Sequence, residues 1–421
     1  MGDRKFSYLA ETLIPSEIVK LGGIIKEKIS SGHKIFNYTI GDFDSSIFPI
    51  PKKLEEEIIS AYKQGYTTYP SADGELDLRK SVSSFIKKHQ GLDYGPQEIL
   101  IANGGRPLIY ALYRTIVDKN DMVVYPVPSW NNNHYVHFTE GNHICIEALP
   151  ENNFMPSIEQ LRPAIKGASL LSLCSPLNPT GTVLDKNELK GICDLIIEEN
   201  ESRAPEQKKL YLMYDQIYWM LTFGGTHHYD PVSLHPKMKD YTIFIDGISK
   251  SFAATGVRVG WAMGPADVIA KMRGMNSHIG SWAPMAEQKA VAKFLDMQDE
   301  VDAYLKHFKK EVEERLNAIY KGFHHLREEG FSVDAIAPQA AIYLTIKIDL
   351  KGKKTAEGNV LTSQEEVTEY ILEEAGLAIV PFHAFGAGDN SIWYRLSVGC
   401  CKKEDIQVVL GKVKEALIKL H

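Results

Sequence analysis

No stretch of this 421-residue chain approaches the roughly 18 consecutive apolar residues that a membrane-crossing helix needs, so no spanning segment is expected. The opening residues, MGDRKFSYLAETLIPSEIV, lack the apolar core of a secretory leader, and a cytoplasmic location is the expectation. Cysteine is sparse. Cys145, Cys174, Cys193, Cys400 and Cys401 are odd in number and lack metal-ligand spacing, which fits a reducing compartment rather than a disulfide framework. The adjacent Cys400 and Cys401 could form a redox pair, although small buried hydrophobes are the more ordinary role of free cysteines. Basic charge is nowhere concentrated. Against 47 Lys and Arg stand 54 Asp and Glu, a formal net charge of -7, which argues against a nucleic-acid partner. The cluster KHFKK at 306–310 reads as a solvated helix face. His134 with His137, and His227 with His228, lack further ligands, and no metal is expected.

What is present is an ordinary globular composition, 44% apolar and 24% charged, over a length that suggests two or three domains. From residue 52 onward, helical patterns such as KLEEEIISAYKQG alternate with short apolar runs, among them EILIAN, DMVVYP, ASLLSLCSP, KKLYLMYDQ and YTIFIDGIS. Strands that are apolar throughout belong to sheets covered on both faces, so an α/β fold with a mostly parallel sheet flanked by helices is expected. After about residue 296 the texture changes. A long charged helix leads to AIYLTIKID, a helix over SQEEVTEYILEEAG, then LAIVPF, IWYRLSV and a final helix, which reads as a smaller α+β domain. The expected division is a large domain over 48–295, with 1–47 and 296–421 forming the small one.

Candidates for chemistry follow these apolar runs, where sites in such sheets gather. In LIANGGRPL, Gly104 and Gly105 open a helix whose first amides could hold a phosphate, or they merely make a tight turn. In CSPLNPTG, the Asn178-Pro179 step favours a turn at the sheet edge. Asp215 follows an apolar strand in LYLMYDQIYWML, where a carboxylate is costly unless it meets a cation, or else it caps a helix. Lys250 closes FIDGISK and is crowded by Gly, Ser, Ala and Thr, side chains too small to pair with an ammonium but small enough to admit something bulky. A phosphate cradle, an amide, a buried acid and a lysine together suit a phosphate-bearing aromatic aldehyde with a protonated ring nitrogen. Pyridoxal 5'-phosphate (PLP) is such a molecule.

The motifs SPLNPTG, YDQIY and SKSFAATGVRVGW stand in an order and spacing that resembles the fold-type I PLP enzymes, and within them the class I/II aminotransferases of the aspartate aminotransferase family. The likeness runs from LIPSEI to WYRLSVG. It implies that Lys250 forms the Schiff base with PLP and then shuttles the proton, helped by nearby Arg258, while Asp215 pairs with the ring nitrogen. Asn178 and Tyr218 would donate to the ring oxygen. Ser249, Arg258 and the backbone of Gly105 and Arg106 would hold the phosphate, with Trp130 stacked on the ring. Tyr69 matches a tyrosine that reaches the phosphate of a partner subunit, which implies a homodimer with shared sites. Arg395, otherwise a plausible surface ion-pair residue, matches the arginine that grips the α-carboxylate of an amino acid or 2-oxo acid substrate, assisted by the backbone of Gly41.

Departures from the family pattern concern the substrate more than the cofactor. A serine common three residues before the lysine is Gly247, the usual Glu of the DE-x-Y stretch is Gln216, P-x-G-A-F-Y reads PQAAIY, and the glycine after VP is Phe382. A bacterial subgroup of aspartate aminotransferases carries a lysine at the position of Arg106, tied to acidic side chains, and shares the P-S segment containing Ser16. Arg106, with Ser16, is therefore expected either to receive a substrate side-chain carboxylate or only to support the phosphate. Aspartate or glutamate is the expected amino donor. An aromatic or aliphatic aminotransferase, or a lyase on the same scaffold, is the alternative. A transcription regulator with an aminotransferase-like half is not expected, since the pattern begins within the first twenty residues.

Overall fold

The computed structural model describes residues 5–15 and 17–421. Seven strands form the main sheet: β1 (Ile99–Ala102), β2 (Met122–Val127), β3 (Asn142–Glu147), β4 (Leu170–Cys174), β5 (Tyr211–Asp215), β6 (Thr242–Gly247) and β7 (Gly260–Met263). Their order across the sheet is β1-β7-β6-β5-β4-β2-β3, all parallel except β7, which runs antiparallel to both β1 and β6. Successive side chains of a strand point to opposite faces, and here both faces are apolar. Leu212, Tyr214 and Phe244 enter one core, while Met213, Ile243 and Ile245 enter another on the far side. That double burial is why these strands read as unbroken apolar runs.

A second sheet of four strands is built from β8 (Val333–Ala335), β9 (Tyr343–Ile348), β10 (Val380–Pro381) and β11 (Trp393–Ser397), in the order β10-β11-β9-β8 and antiparallel throughout. Phe36–Asn37 joins this part of the molecule by pairing in parallel with Leu377–Ala378. The helix Gln298–Glu328 ties the two sheets together. Its buried positions Val301, Leu305, Phe308, Val312, Leu316, Ile319, Phe323 and Leu326 recur every three or four residues, the spacing of one helical face. Val301 and Leu305 belong to the core of the large sheet, and the residues from Phe308 onward to the core of the small one.

Alternation of strand and helix anticipated β1, β2, β4, β5 and β6. It did not anticipate β3, an edge strand whose residues are exposed or half-buried in alternation, or the short β7. Strand β7 is nevertheless the wedge on which the layout turns. Gly260 pairs with Gly247 on one side and Ala102 on the other. A Cβ on Gly260 would lie 2.7 Å from the carbonyl carbon of Gly104 and 3.0 Å from the amide nitrogen of Gly105, and a Cβ on Gly247 would lie 2.8 Å from the Cα of Gly260. Gly104 has φ 82, a conformation that favours glycine. Three backbone segments thus touch without side chains between them. The serine common at position 247 in the family has no room for its Cβ beside this backbone. Gly260→Ala is expected to lower stability by about 1–3 kcal/mol, the usual cost of overpacking a tight site, read as a shift in the chemical denaturation midpoint. Because the displaced backbone belongs to Gly104 and Gly105, affinity for a phosphate-bearing ligand should fall with it.

Candidate active site

The ends of β4, β5 and β6, the helix Gly105–Ile116 and the residues around Gly41 and Arg395 enclose a cavity of about 590 Å³. Gly41, Gly105, Arg106, Trp130, Asn178, Asp215, Tyr218, Ser249, Lys250, Arg258 and Arg395 all line it. Two expected residues are not among them. Tyr69 is 84% exposed and packs edge-on against Trp282, ring centres 5.3 Å apart, away from the cavity of its own chain. Ser16 lies outside the described residues.

Lys250 sits in the single turn Ile248–Ser251 that follows β6 and donates from Nζ to the Gly41 carbonyl at 2.5 Å. Burial pushes its ammonium down to about 8, helped by Arg395, Arg106 and Arg258 and opposed by Asp42. Arg258, at φ 63, donates to the carbonyls of Thr255 (2.7 Å) and Asn103 (3.0 Å), which holds its guanidinium over the start of the helix at Gly105. Gly104 makes this possible, since a Cβ there would collide with that guanidinium.

Asp215 ends β5 and accepts from the amide of Ile217 at 3.1 Å, so it caps the local turn as well as facing the cavity. No described cation pairs with it, and burial pushes its carboxyl up to about 6. Arg395 is the opposite case. Its guanidinium is buried between the rings of Tyr343 and Phe385, 4.7 and 4.9 Å away, and donates to the Asn178 Oδ1 (3.0 Å) and the Thr39 carbonyl (2.6 Å). Its Nε has no partner, and no described carboxylate pairs with it. A buried charge is costly when unpaired. One cavity therefore presents an unpaired acid and an unpaired cation, so its ligand should carry charge of both signs. A protonated ring nitrogen answers Asp215, a carboxylate answers Arg395, and the helix start with Arg258 suits a phosphate. PLP with an amino acid supplies all three, and these residues fit it.

Arg106 lies at the mouth, its guanidinium stacked on Trp130 at 4.5 Å. Among the described residues no carboxylate pairs with it, and its edge donors are left for a ligand. Sequence reasoning passed over Tyr343, whose hydroxyl is 2.6 Å from that of Tyr218 and fills the space a Cβ on Gly41 would need, 2.7 Å away. Its signal was present, since it is the tyrosine retained in PQAAIY. Asp42 and Phe385 carried no such signal and enter only through the folding of distant segments.

Two of the departures lie away from the substrate side. Gln216 is fully buried and does not line the cavity. The alternation after Asp215 sends its side chain away, to bond with Gln90 at 3.0 Å and, more loosely, with Asp246 at 3.4 Å. Asp246 is itself buried, with its carboxyl pushed up to about 8 by desolvation, and a glutamate at position 216 would set a second acid against it. Phe382 also stands back from the cavity. It packs on Phe154 and Phe385 and bears on Arg395 only through the latter ring.

The aminotransferase class I and II family model matches residues 34–413. The aspartate aminotransferase of Bacillus sp. (strain YM-2) is 31% identical over 380 residues, covering 90% of this chain and 91% of its own. That of Bacillus subtilis (strain 168) is 29% identical over 389 residues, covering 92% and 93%. Among solved structures, the Thermus thermophilus aspartate aminotransferase with maleate is 27% identical, with a TM-score of 0.86 and coverage of 98% of this chain and 100% of that one. With its mostly parallel seven-stranded sheet, its fold-type I architecture and a match over nearly its whole length, the chain belongs to the class I and II aminotransferases.

Proposed function

We propose that this aminotransferase uses PLP to move an amino group between aspartate or glutamate and a 2-oxo acid, in two half-reactions, as a cytoplasmic homodimer. The observation that carries the substrate class is that, besides Arg258 at the phosphate-binding helix start, two guanidiniums in the cavity have no carboxylate partner among the described residues, Arg395 buried inside and Arg106 at the mouth. A substrate with two carboxylates satisfies both. The Thermus thermophilus relative was solved with maleate, itself a dicarboxylate.

When bound, PLP supplies an electron-withdrawing ring that makes the substrate Cα–H acidic. In this reading, Gly105 and Arg106 amides, Ser249 and Arg258 hold its phosphate, Trp130 covers the ring, and Tyr218 and Asn178 donate toward the ring oxygen. Asp215, which has no cationic partner among the described residues, would favour a positive charge on the ring nitrogen. Lys250 would hold the cofactor through its amine, and that amine would move the proton at the substrate carbon. Its lowered proton affinity keeps a neutral, nucleophilic fraction available near neutral pH. Arg395 orients the α-carboxylate, with the Gly41 backbone beside it, and Arg106 takes the side-chain carboxylate. Ser16, expected to assist Arg106, lies outside the described residues. The outward position of Tyr69 supports its use at the phosphate of a second copy. Five free thiols fit the reducing compartment. The division into a large domain, 48–295, and a small one, 1–47 with 296–421, belongs to the same reading, with the cavity between them.

The deciding experiment loads purified protein with PLP, adds single amino acids and follows the visible absorbance. Aspartate or glutamate should convert the bound cofactor to its amine form, and Lys250→Ala should abolish both the covalent absorbance and the conversion. Release of pyruvate and ammonia in place of conversion would show a lyase. Arg106→Gln should reduce kcat/KM for aspartate about 10- to 100-fold, the worth of a charge-assisted hydrogen bond, while phenylalanine turnover stays unchanged. Equal losses for both would remove Arg106 as the acid reader. Only the neutral amine attacks an aldehyde, so the rate at which cofactor-free protein takes up PLP should rise with pH through a midpoint near 8. A midpoint above 10 would place an ordinary solvated lysine at the site.

A further inference from the structure

Three guanidiniums share the cavity with the nitrogen of Lys250: Arg395 on β11, Arg106 on the helix Gly105–Ile116 and Arg258 in the turn before β7, and each disfavours an added proton there. The rings of Phe43 and Tyr218 stand 5.7 and 5.9 Å from Nζ, and Asp215 lies on the cavity floor. Yet a lysine that moves a proton must also accept one. The offset comes from the loop that Nζ already touches: it bonds the Gly41 carbonyl at 2.5 Å, and the next residue, Asp42, lines the same cavity.

The Asp42 carboxylate is fixed rather than mobile. Its Oδ1 accepts from the Thr255 hydroxyl at 2.5 Å and from the Phe43 amide at 2.8 Å. The loop backbone is clamped in turn to the end of β11. The Asp44 amide donates to the Gly399 carbonyl at 3.0 Å, and a Cβ on Gly399 would collide with the Asp42 carbonyl. Thr255 also presents its carbonyl to Arg258, so one short turn orients an anion with its side chain and a cation with its backbone. A carboxylate held this firmly beside a cavity rich in guanidiniums has a defined electrostatic task.

We propose that Asp42, locked by Thr255, is the positioning residue that sustains a positive charge on the nitrogen of Lys250 against the three surrounding arginines, and so lets that nitrogen accept the proton it transfers. Asp42 neither touches the reacting carbon nor exchanges a proton itself. It acts through the field at Nζ, where an opposite charge favours the protonated form. The inference rests on the reading of Lys250 as the residue that holds the cofactor.

The test is a pH titration of the visible absorbance of the PLP-loaded protein, which reports protonation of the nitrogen shared by Lys250 and the cofactor. Asp42→Asn should move the midpoint down by about one pH unit, Thr255→Val should move it the same way by less, and Asp42→Glu should restore it at least in part. Thermal melts should show that each variant remains folded. A purely structural role would alter the melt and leave the midpoint in place. If Asp42→Asn fails to fold, Thr255→Val alone decides. An unchanged midpoint in the folded variants overturns the proposal. If the parent protein shows no visible absorbance with PLP, or Lys250→Ala retains it, the cofactor reading itself falls, a result separate from any midpoint.

Discussion

The close approach of main chain to main chain at Gly104, Gly247 and Gly260 is the constraint on which the site depends. The helix start that can hold a phosphate and the turn that carries Lys250 come from segments more than 140 residues apart. They meet because β7 slips between β1 and β6 with no side chain to keep them apart. Any Cβ at the junction would separate the phosphate-binding end from the lysine, and loss of registry at that scale is expensive for chemistry that depends on positioned groups. The same junction explains why the residue three before Lys250 is glycine.

Around that junction the protein leaves charges deliberately uncompensated. Asp215 and Arg395 are buried, face one cavity and find no oppositely charged partner among the described residues. Folding bears this cost because the compensating charges arrive with the ligands. Asp42 is the exception within the set, a fixed anion supplied by the chain itself, and it stands where three guanidiniums would otherwise act unopposed on Lys250. Elsewhere the interior is conventional. Buried acids such as Asp246 find several donors, and Gln216 replaces the acid that would otherwise have faced it.

Much of this was legible in the sequence, and the limits were physical. Apolar runs bounded by turn residues located the doubly buried strands, because burial on both faces removes alternation. Strand β3 escaped notice because it lies at an edge with one side in water, and β7 because four residues are too few to show a pattern. Eleven of the expected site residues line one cavity, and several sit beside a glycine, a proline or a strand end, whereas Arg395, the middle residue of β11, was marked only by its motif. Tyr343 was marked by its motif but passed over, while Asp42 and Phe385 were not legible. Their importance depends on which distant segment they fold against, as when Gly399 admits the loop of Asp42, and local sequence contains no record of that. Gln216 shows the converse, because a motif adjacent to a site does not send every side chain toward it.

The concentration of guanidiniums also bears on how substrates arrive. Overall the chain carries a formal charge of -7, so an anionic amino acid meets a repelling field at long range. Within the cavity, Arg106, Arg258, Arg395 and Lys250 outnumber Asp42 and Asp215, and low-dielectric walls focus that local attraction. Mobile ions screen the distant repulsion beyond about 10 Å at moderate ionic strength, but they reach the enclosed charges poorly. Encounter with a dicarboxylate is therefore governed by two opposing fields of different range, and salt weakens the outer one first.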